Sequence, residues 1–120
     1  MPNVVDVVSW DDMVPEVVSP GIERKTVQGA RQTLVRYRYA PGSVFPSHSH
    51  PEEQITVVLT GTIAFEIAGD RHTLGPGQVA VIPGGIAHGA EVVGSETVDT
   101  LNTLSPRRES APSVPSGSDA

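Results

Sequence analysis

Gly42–Gly61 has the sequence GSVFPSHSHPEEQITVVLTG and contains two of the chain's four histidines. Side chains alternate between the two faces of an extended strand, so residues of one parity share a face. His48, His50 and Gln54 are even-numbered, whereas Glu53 is odd-numbered. This alternation predicts two imidazoles and one amide on the same face, with Glu53 directed away from them.

A third imidazole belongs to the same predicted site. His88 lies five residues past Pro83 and begins a separate predicted strand, HGAEVV. Imidazole is the commonest metal ligand in proteins, and a His-X-His pair can place two rings on one ion. Glu52 follows Pro51 at a predicted bend, so we expect it to be solvated. An isolated His-X-His pair is usually a surface feature, and the prediction therefore depends on the whole ligand set, His48, His50, Gln54 and His88.

Length, charge and composition limit the possible functions. The chain has 120 residues, enough for one domain, and no cysteine, which excludes disulfides, zinc–thiolate sites and a thiol nucleophile. Its net charge of −6 argues against nucleic acid and anionic membranes as partners. No apolar run reaches the ~20 residues of a spanning helix, and the N-terminal residues do not resemble a signal peptide. We therefore expect a cytoplasmic protein.

Short period-two segments recur along the chain and indicate an all-β protein. RQTLVRYRY alternates, QITVVL and QVAVI are apolar on both faces, and the turns AGDR, LGPG and PGG separate such segments. The pattern predicts a single β-domain, either a barrel or a two-sheet jelly roll. We place an N-terminal segment with edge strands at residues 1–30 and the barrel at 31–105. A Pro- and Ser-rich tail follows at 106–120, and we expect disorder beyond about residue 110.

The spacing of glycines, prolines and histidines closely resembles the two motifs of the cupin superfamily. The first motif is Gly, five residues, His-X-His, three or four residues, usually Glu, six residues and Gly; it is matched by Gly42, His48, His50, Gln54 and Gly61. The second is Gly, five residues, Pro-X-Gly, two residues, His, three residues and Asn; it is matched by Gly77, Pro83, Gly85 and His88, with Val92 at the Asn position. The resemblance implies a jelly-roll β-barrel, often a homodimer, with one divalent metal ion. Nickel, zinc, iron, manganese and cobalt are all candidates.

The segment NTLSPRRES is similar to the one that closes small cupins of the pectin-degradation type, which ketonise unsaturated uronates. That resemblance makes Arg108 the candidate for binding a substrate carboxylate. Asn102 stands at the position of the group's acid/base Asp, and Leu104 at that of an aromatic residue. Arg108 and Asn102 are thus the candidate catalytic residues, although an amide cannot transfer a proton. The alternative for Arg108 is a place in the solvated tail.

The functional hypothesis depends on Gln54, which stands at the position where the cupin motif usually has Glu. An amide ligand brings no charge, so three histidines and one glutamine leave the ion its full +2 charge. This favours Lewis-acid chemistry over oxygen activation. We expect a metal-dependent isomerase or lyase acting on a small oxygenated substrate, such as a carboxylate or a sugar derivative. The alternatives are an Fe(II) dioxygenase and a non-catalytic metal- or ligand-binding cupin.

Overall fold

A computed structural model describes residues 5–109, which form two antiparallel β-sheets. Within this range a 3-10 turn at Trp10–Asp12 precedes ten strands: β1 (Glu16–Ser19), β2 (Ile22–Gln28), β3 (Thr33–Tyr39), β4 (Val44–His48), β5 (Glu53–Thr60), β6 (Thr62–Ile67), β7 (Asp70–Leu74), β8 (Val79–Ile82), β9 (His88–Val93) and β10 (Val98–Ser105). One sheet has the strand order β1-β2-β3-β10-β5-β8, and the other has the order β4-β9-β6-β7. The predicted all-β jelly roll is confirmed.

The alternation of side chains gives the six-stranded sheet one interior face. Along β10 every even-numbered residue from Val98 to Leu104 is buried, and every odd-numbered residue is more exposed. β3 and β5 flank β10 on its two sides, and their residues opposite these positions are also largely buried. Polar residues interrupt this face, because Thr56, Thr100 and Asn102 stand where a simple core would be apolar.

The four-stranded sheet closes the core. Ile63 and Phe65 of β6 pack with Val58 of β5, Val98 of β10 and Ile22 of β2 in one buried hydrophobic cluster. Burial of each such side chain contributes about 1.5–3 kcal/mol. The core fills one part of the space between the sheets, and the other part is a cavity with apolar and polar residues in its wall.

Strand pairing brings two of the predicted ligands together. β4 ends at His48 and β9 begins at His88, and these two residues are direct partners in the antiparallel register. Gly89 follows His88 where the chains come closest, because a Cβ there would meet the main-chain oxygen of Phe45 at 2.9 Å. Only glycine lets the two strands approach so closely at the start of β9.

Residues near both ends of the described range, residues 5–109, pack onto the two sheets. β1 is an edge strand, and β2 continues the six-stranded sheet from residues assigned to the N-terminal segment. Arg108 lies within the residues predicted as tail, yet it is buried, with its amide donating to Thr33 Oγ1 at 2.9 Å. The disorder expected beyond about residue 110 concerns residues outside the described range. No helix within residues 5–109 is long and apolar enough to cross a bilayer.

Candidate functional site

Three histidines converge at one end of the space between the sheets. One ligand nitrogen from each of His48, His50 and His88 lies within 4.8 Å of the other two. His50 and His88 are buried, and His48 is half-buried. Strand alternation predicts His48 and His50 on one strand, but β4 ends at His48 and His50 lies in the following turn. The structure thus brings together the two histidines that parity grouped, although of these two only His48 lies on a strand.

The main chain fixes the orientation of all three rings. Each Nδ1 lies at hydrogen-bond distance from a carbonyl oxygen: His48 from Pro46 at 3.0 Å, His50 from Glu52 at 3.0 Å, and His88 from Ile86 at 2.9 Å. A carbonyl oxygen can only accept, so in the neutral ring Nδ1 carries the proton and Nε2 carries a lone pair. This is the arrangement in which the second shell prepares histidine for a metal ion.

Burial keeps two of these rings neutral. Desolvation lowers the pKa of His88 to about 4, and its Nε2 is buried without a hydrogen-bond partner in residues 5–109. The pKa of His50 is also lowered, first by desolvation and then by the positive charge of Arg108. Neutral imidazoles are the form that binds metal ions, and an unsatisfied buried nitrogen is costly unless something ligates it.

Gln54 adds a fourth candidate metal ligand to the three histidines, and its amide is uncharged. Its Oε1 lies 3.1 Å from His50 Nε2. With the proton on Nδ1, both of these atoms are acceptors and repel each other unless a cation lies between them. Three imidazole nitrogens and one amide oxygen are a suitable donor set for a first-row divalent ion. The residues present therefore fit the metal ion that the sequence motifs imply.

A buried polar relay fixes which end of the Gln54 amide faces His50. Asn102 is 2% exposed, and its Nδ2 donates to the Val35 carbonyl at 3.1 Å and to Thr100 Oγ1 at 3.0 Å. Its Oδ1 must then point the other way, where the Thr56 hydroxyl donates to it. Thr56 Oγ1 in turn accepts from Gln54 Nε2 at 2.9 Å. The amide oxygen of Gln54 is consequently directed toward the histidines.

The turn between β8 and β9 holds the His50 segment in place. The amide of Gly85 donates to the His50 carbonyl at 2.8 Å. Gly84 contacts the neighbouring Pro51 so closely that a Cβ at position 84 would lie 2.2 Å from the Pro51 carbonyl oxygen. Gly85 also has a positive φ of 79°. The two glycines therefore serve different purposes, one for close approach and one for backbone conformation.

The position of the Glu52 side chain differs from the one we expected. We expected it to be solvated, but its side chain is 12% exposed, and Oε1 lies 3.5 Å from His50 Nδ1 and 3.8 Å from Arg108 Nη1. Oε1 is buried and makes no hydrogen bond within the described residues. The chain turns inward after Pro51, which places this carboxylate behind the ligand ring. It forms an ion pair with Arg108 at the back of the site and lies next to the neutral His50 ring. Glu53 is exposed as predicted.

Both candidate catalytic residues line the cavity beside the histidines. The cavity opens to solvent, and Arg108 and Asn102 contribute to its wall. The alternative that left Arg108 in the solvated tail does not hold, since Arg108 is 6% exposed. Gln28 Nε2 donates to the Arg108 carbonyl at 2.8 Å and anchors it from β2. The apolar part of the wall includes Val35, Phe45, Phe65, Ala90 and Leu104.

One charged residue of the cavity wall was not predicted from the sequence. Arg24 of β2 is 4% exposed and lines the same cavity, with its Nε donating to Glu16 Oε1 at 2.9 Å. A signal was available, because Arg24 shares parity with the apolar Ile22, whereas its neighbours on the opposite parity, Glu23 and Lys25, are charged. An arginine on the inward parity of such a strand indicates a polar interior.

Comparison with known proteins agrees with this architecture. The Cupin domain family matches residues 35–103, more than half of the chain. A germin-like protein of Ipomoea nil is 40% identical over 74 residues, which are 57% of this chain and 35% of that protein. Germin-like protein subfamily 3 member 1 of Arabidopsis thaliana is 33% identical over 89 residues, which are 67% of this chain and 43% of that protein. The chain thus spans less than half the length of these curated relatives.

Solved structures show the same fold over the full length of small proteins. KdgF from a Halomonas species is 26% identical, with a TM-score of 0.78 over 88% of this chain and 97% of that one. An RmlC-like cupin from Shewanella frigidimarina has a TM-score of 0.80 over 91% of this chain and 97% of that one. At 21% identity the latter shows the fold alone. With the family match, the two-sheet fold and the histidine cluster in agreement, the protein belongs to the cupin family.

Proposed function

We propose that this cupin is a metal-dependent isomerase or lyase that acts on a small oxygenated carboxylate. The observation that carries the proposal is the set of four neutral donors next to a buried guanidinium. One ring nitrogen from each of three histidines converges, Gln54 Oε1 lies 3.1 Å from His50 Nε2, no carboxylate belongs to the cluster within the described residues, and Arg108 lines the same cavity. Such a set holds a divalent ion without reducing its charge.

In this proposal His48, His50, His88 and Gln54 hold the ion. When bound there, a divalent ion supplies Lewis-acid polarisation of a carbonyl or hydroxyl oxygen. Neutral ligands retain more of that polarising power than a carboxylate would, and they stabilise a higher oxidation state less. The donor set therefore favours isomerase or lyase chemistry over the dioxygenase alternative.

Arg108 binds the substrate carboxylate in this proposal. Its guanidinium is buried, and the planar fork suits bidentate binding of a carboxylate. Glu52 at 3.8 Å supports the guanidinium from behind. The lining residues include no Asp or Glu within the described part of the chain, so an incoming carboxylate meets no like charge.

Proton transfer needs a group other than Asn102. Asn102 is amidic, and both of its Nδ2–H groups and its Oδ1 are engaged in the polar relay. Tyr37 is half-buried and lines the same cavity, and a tyrosine hydroxyl can act as a general acid or base. We assign the proton-transfer role to Tyr37 and a positioning role to Asn102.

The test combines metal analysis with assays under two atmospheres. Protein purified without chelator is expected to contain about one divalent ion per chain. On a panel of small keto-, hydroxy- and unsaturated carboxylates, turnover should be equal with and without oxygen. Arg108→Ala should raise KM and leave metal content unchanged, while Tyr37→Phe should lower kcat. Oxygen uptake that matches turnover would establish the dioxygenase instead, and tight metal without turnover would support a non-catalytic cupin.

A further inference from the structure

Two arginines, rather than one, line the cavity. Arg24 is 4% exposed and Arg108 is 6% exposed, and both contribute to the wall of the cavity that contains the histidines. Desolvation of a buried guanidinium is unfavourable, so two such groups beside one small cavity require nearby negative charge or hydrogen-bond acceptors. In the proposed function, only Arg108 binds the substrate.

The two arginines reach the cavity from positions far apart along the same sheet. Arg24 is opposite Tyr37 in the β2–β3 register. Arg108 is bound by Gln28 and Thr33, which are opposite each other four residues further along β2. At about 3.3 Å per residue, these two anchoring points are separated by about 13 Å along the strand. The two arginines therefore reach the cavity wall from main-chain positions that are well separated along β2.

A bound divalent ion would add two positive charges to the cavity. The residues that line the cavity include no aspartate or glutamate within the described part of the chain, although Glu16 Oε1 lies 2.9 Å from Arg24 Nε and Glu52 Oε1 lies 3.8 Å from Arg108 Nη1. Neutral imidazoles and the amide of Gln54 would not offset the charge of the ion. A ligand with two negative charges would offset it, and a ligand with one would not.

We propose that the ligand of this cavity is a dianion, with one carboxylate bound by Arg108 and the second anionic group bound at Arg24. The inference rests on the proposed function and narrows its substrate class from a carboxylate to a dicarboxylate or an equivalent doubly anionic compound. The apolar wall formed by Val35, Phe45 and Leu104 suits the carbon chain that connects the two groups.

Calorimetric titration with simple acids tests the proposal without catalysis. The probes are dicarboxylates from malonate to adipate and monocarboxylates of matched length, added to metal-free and zinc-loaded protein. The best dicarboxylate should bind zinc-loaded protein at least tenfold more tightly than its monocarboxylate counterpart. Arg24→Met should abolish that preference while monocarboxylate affinity changes less than twofold. Arg108→Met should weaken both classes, and the exposed Arg71→Met serves as a charge-matched control with no effect.

A second variant keeps the test decisive if Arg24→Met fails to fold. Glu16→Gln removes the partly exposed partner of Arg24, so dicarboxylate affinity should be retained or rise. The proposal is overturned if wild-type protein shows no dicarboxylate preference, if Arg24→Met keeps it, or if Glu16→Gln loses it. Failure of the proposed function looks different, because dicarboxylates would then bind with this preference and none of them would be turned over.

Discussion

His50 Nε2 and Gln54 Oε1 face each other at 3.1 Å as two hydrogen-bond acceptors. The His50 proton is on Nδ1, which is directed to the Glu52 carbonyl, and the Asn102–Thr56 relay directs the amide hydrogens of Gln54 away. Two lone pairs at this separation are unfavourable in a buried site unless a cation occupies the space between them. The two atoms are therefore placed as two candidate ligands of one cation would be.

The first prediction concerns Gln54 itself. Gln54→Leu removes the amide oxygen that we expect to bind the metal ion and replaces the amide with an apolar side chain of similar size. We expect zinc affinity, measured by competition with a chromophoric chelator, to fall at least tenfold, because one ligand of four is lost. The exposed Gln32→Leu is the matched control and should leave affinity unchanged. Unchanged affinity in Gln54→Leu together with a loss in Glu52→Ala would transfer the fourth ligand to Glu52.

A second prediction tests the relay behind Gln54. Thr56→Val is nearly isosteric but removes the hydroxyl that connects Gln54 to Asn102. Metal affinity should fall about 10–100-fold, the usual effect of losing an outer-shell partner, and the free energy of unfolding should decrease by about 1–3 kcal/mol. A changed visible spectrum of the cobalt-loaded protein would show that ligand orientation, and not only stability, has altered. Thr103→Val, on the outer face of β10, is the control.

The sequence predicts much of this site because strand alternation and ligand chemistry act locally. Gln54 lies on β5 with the expected parity, and His88 begins β9 as predicted. His50 was identified for an incomplete reason, since a turn and not a strand directs its ring. The Glu52 carbonyl, two residues away, orients that ring, whereas the Gly85 amide, 35 positions away in the chain, holds the His50 backbone. No local pattern contains the second contact.

Long-range pairing also explains what the sequence did not predict. Arg24 lines the cavity because β2 joins β3 in a register that places it opposite Tyr37, and Glu16 supplies its counter-charge from β1. The solvation expected for Glu52 failed because it depends on how sharply the chain turns after Pro51. Composition identified residues beyond 105 as polar, but burial of Arg108 depends on contacts with Gln28 and Thr33.

A third prediction follows from the close contact between Gly84 and Pro51. A Cβ at position 84 would lie 2.2 Å from the Pro51 carbonyl oxygen, so the His50 segment must move to accept an alanine. Gly84→Ala should lower both metal affinity and thermal stability. Gly75→Ala is the control, because a Cβ there meets nothing closer than 4.0 Å. Equal metal affinity in both variants would show that the β8–β9 turn does not position His50.

A fourth prediction concerns alkaline pH. Tyr39 is 3% exposed, and desolvation raises its pKa well above the usual value of about 10. Above pH 10 the unfolded chain therefore loses a proton that the folded chain keeps, and stability must fall as pH rises, by about 1.4 kcal/mol per pH unit. Urea denaturation between pH 8 and pH 11 measures the slope. For Tyr39→Phe, the free energy of unfolding should fall less steeply with pH, by that amount. A slope equal to that of the wild type would contradict the raised pKa of Tyr39.

The last prediction concerns the homodimer, which the sequence analysis expected. The outer face of β5 and β8 exposes Ile55, Leu59, Val79 and Val81 by 39–58%, and Ile55 is opposite Val81 in the register. The patch is uncharged on a chain with a net charge of −6, so a second copy can approach there without like-charge repulsion.

Light scattering coupled to size-exclusion chromatography should give a dimer for the wild type and a monomer for Val81→Asp, because dimerisation would bury the new carboxylate. Val44→Asp introduces the same charge at an equally exposed valine, 58%, on the other sheet, and should remain dimeric. A monomeric wild type, or a Val81→Asp variant that stays dimeric, would exclude this face as the contact between copies.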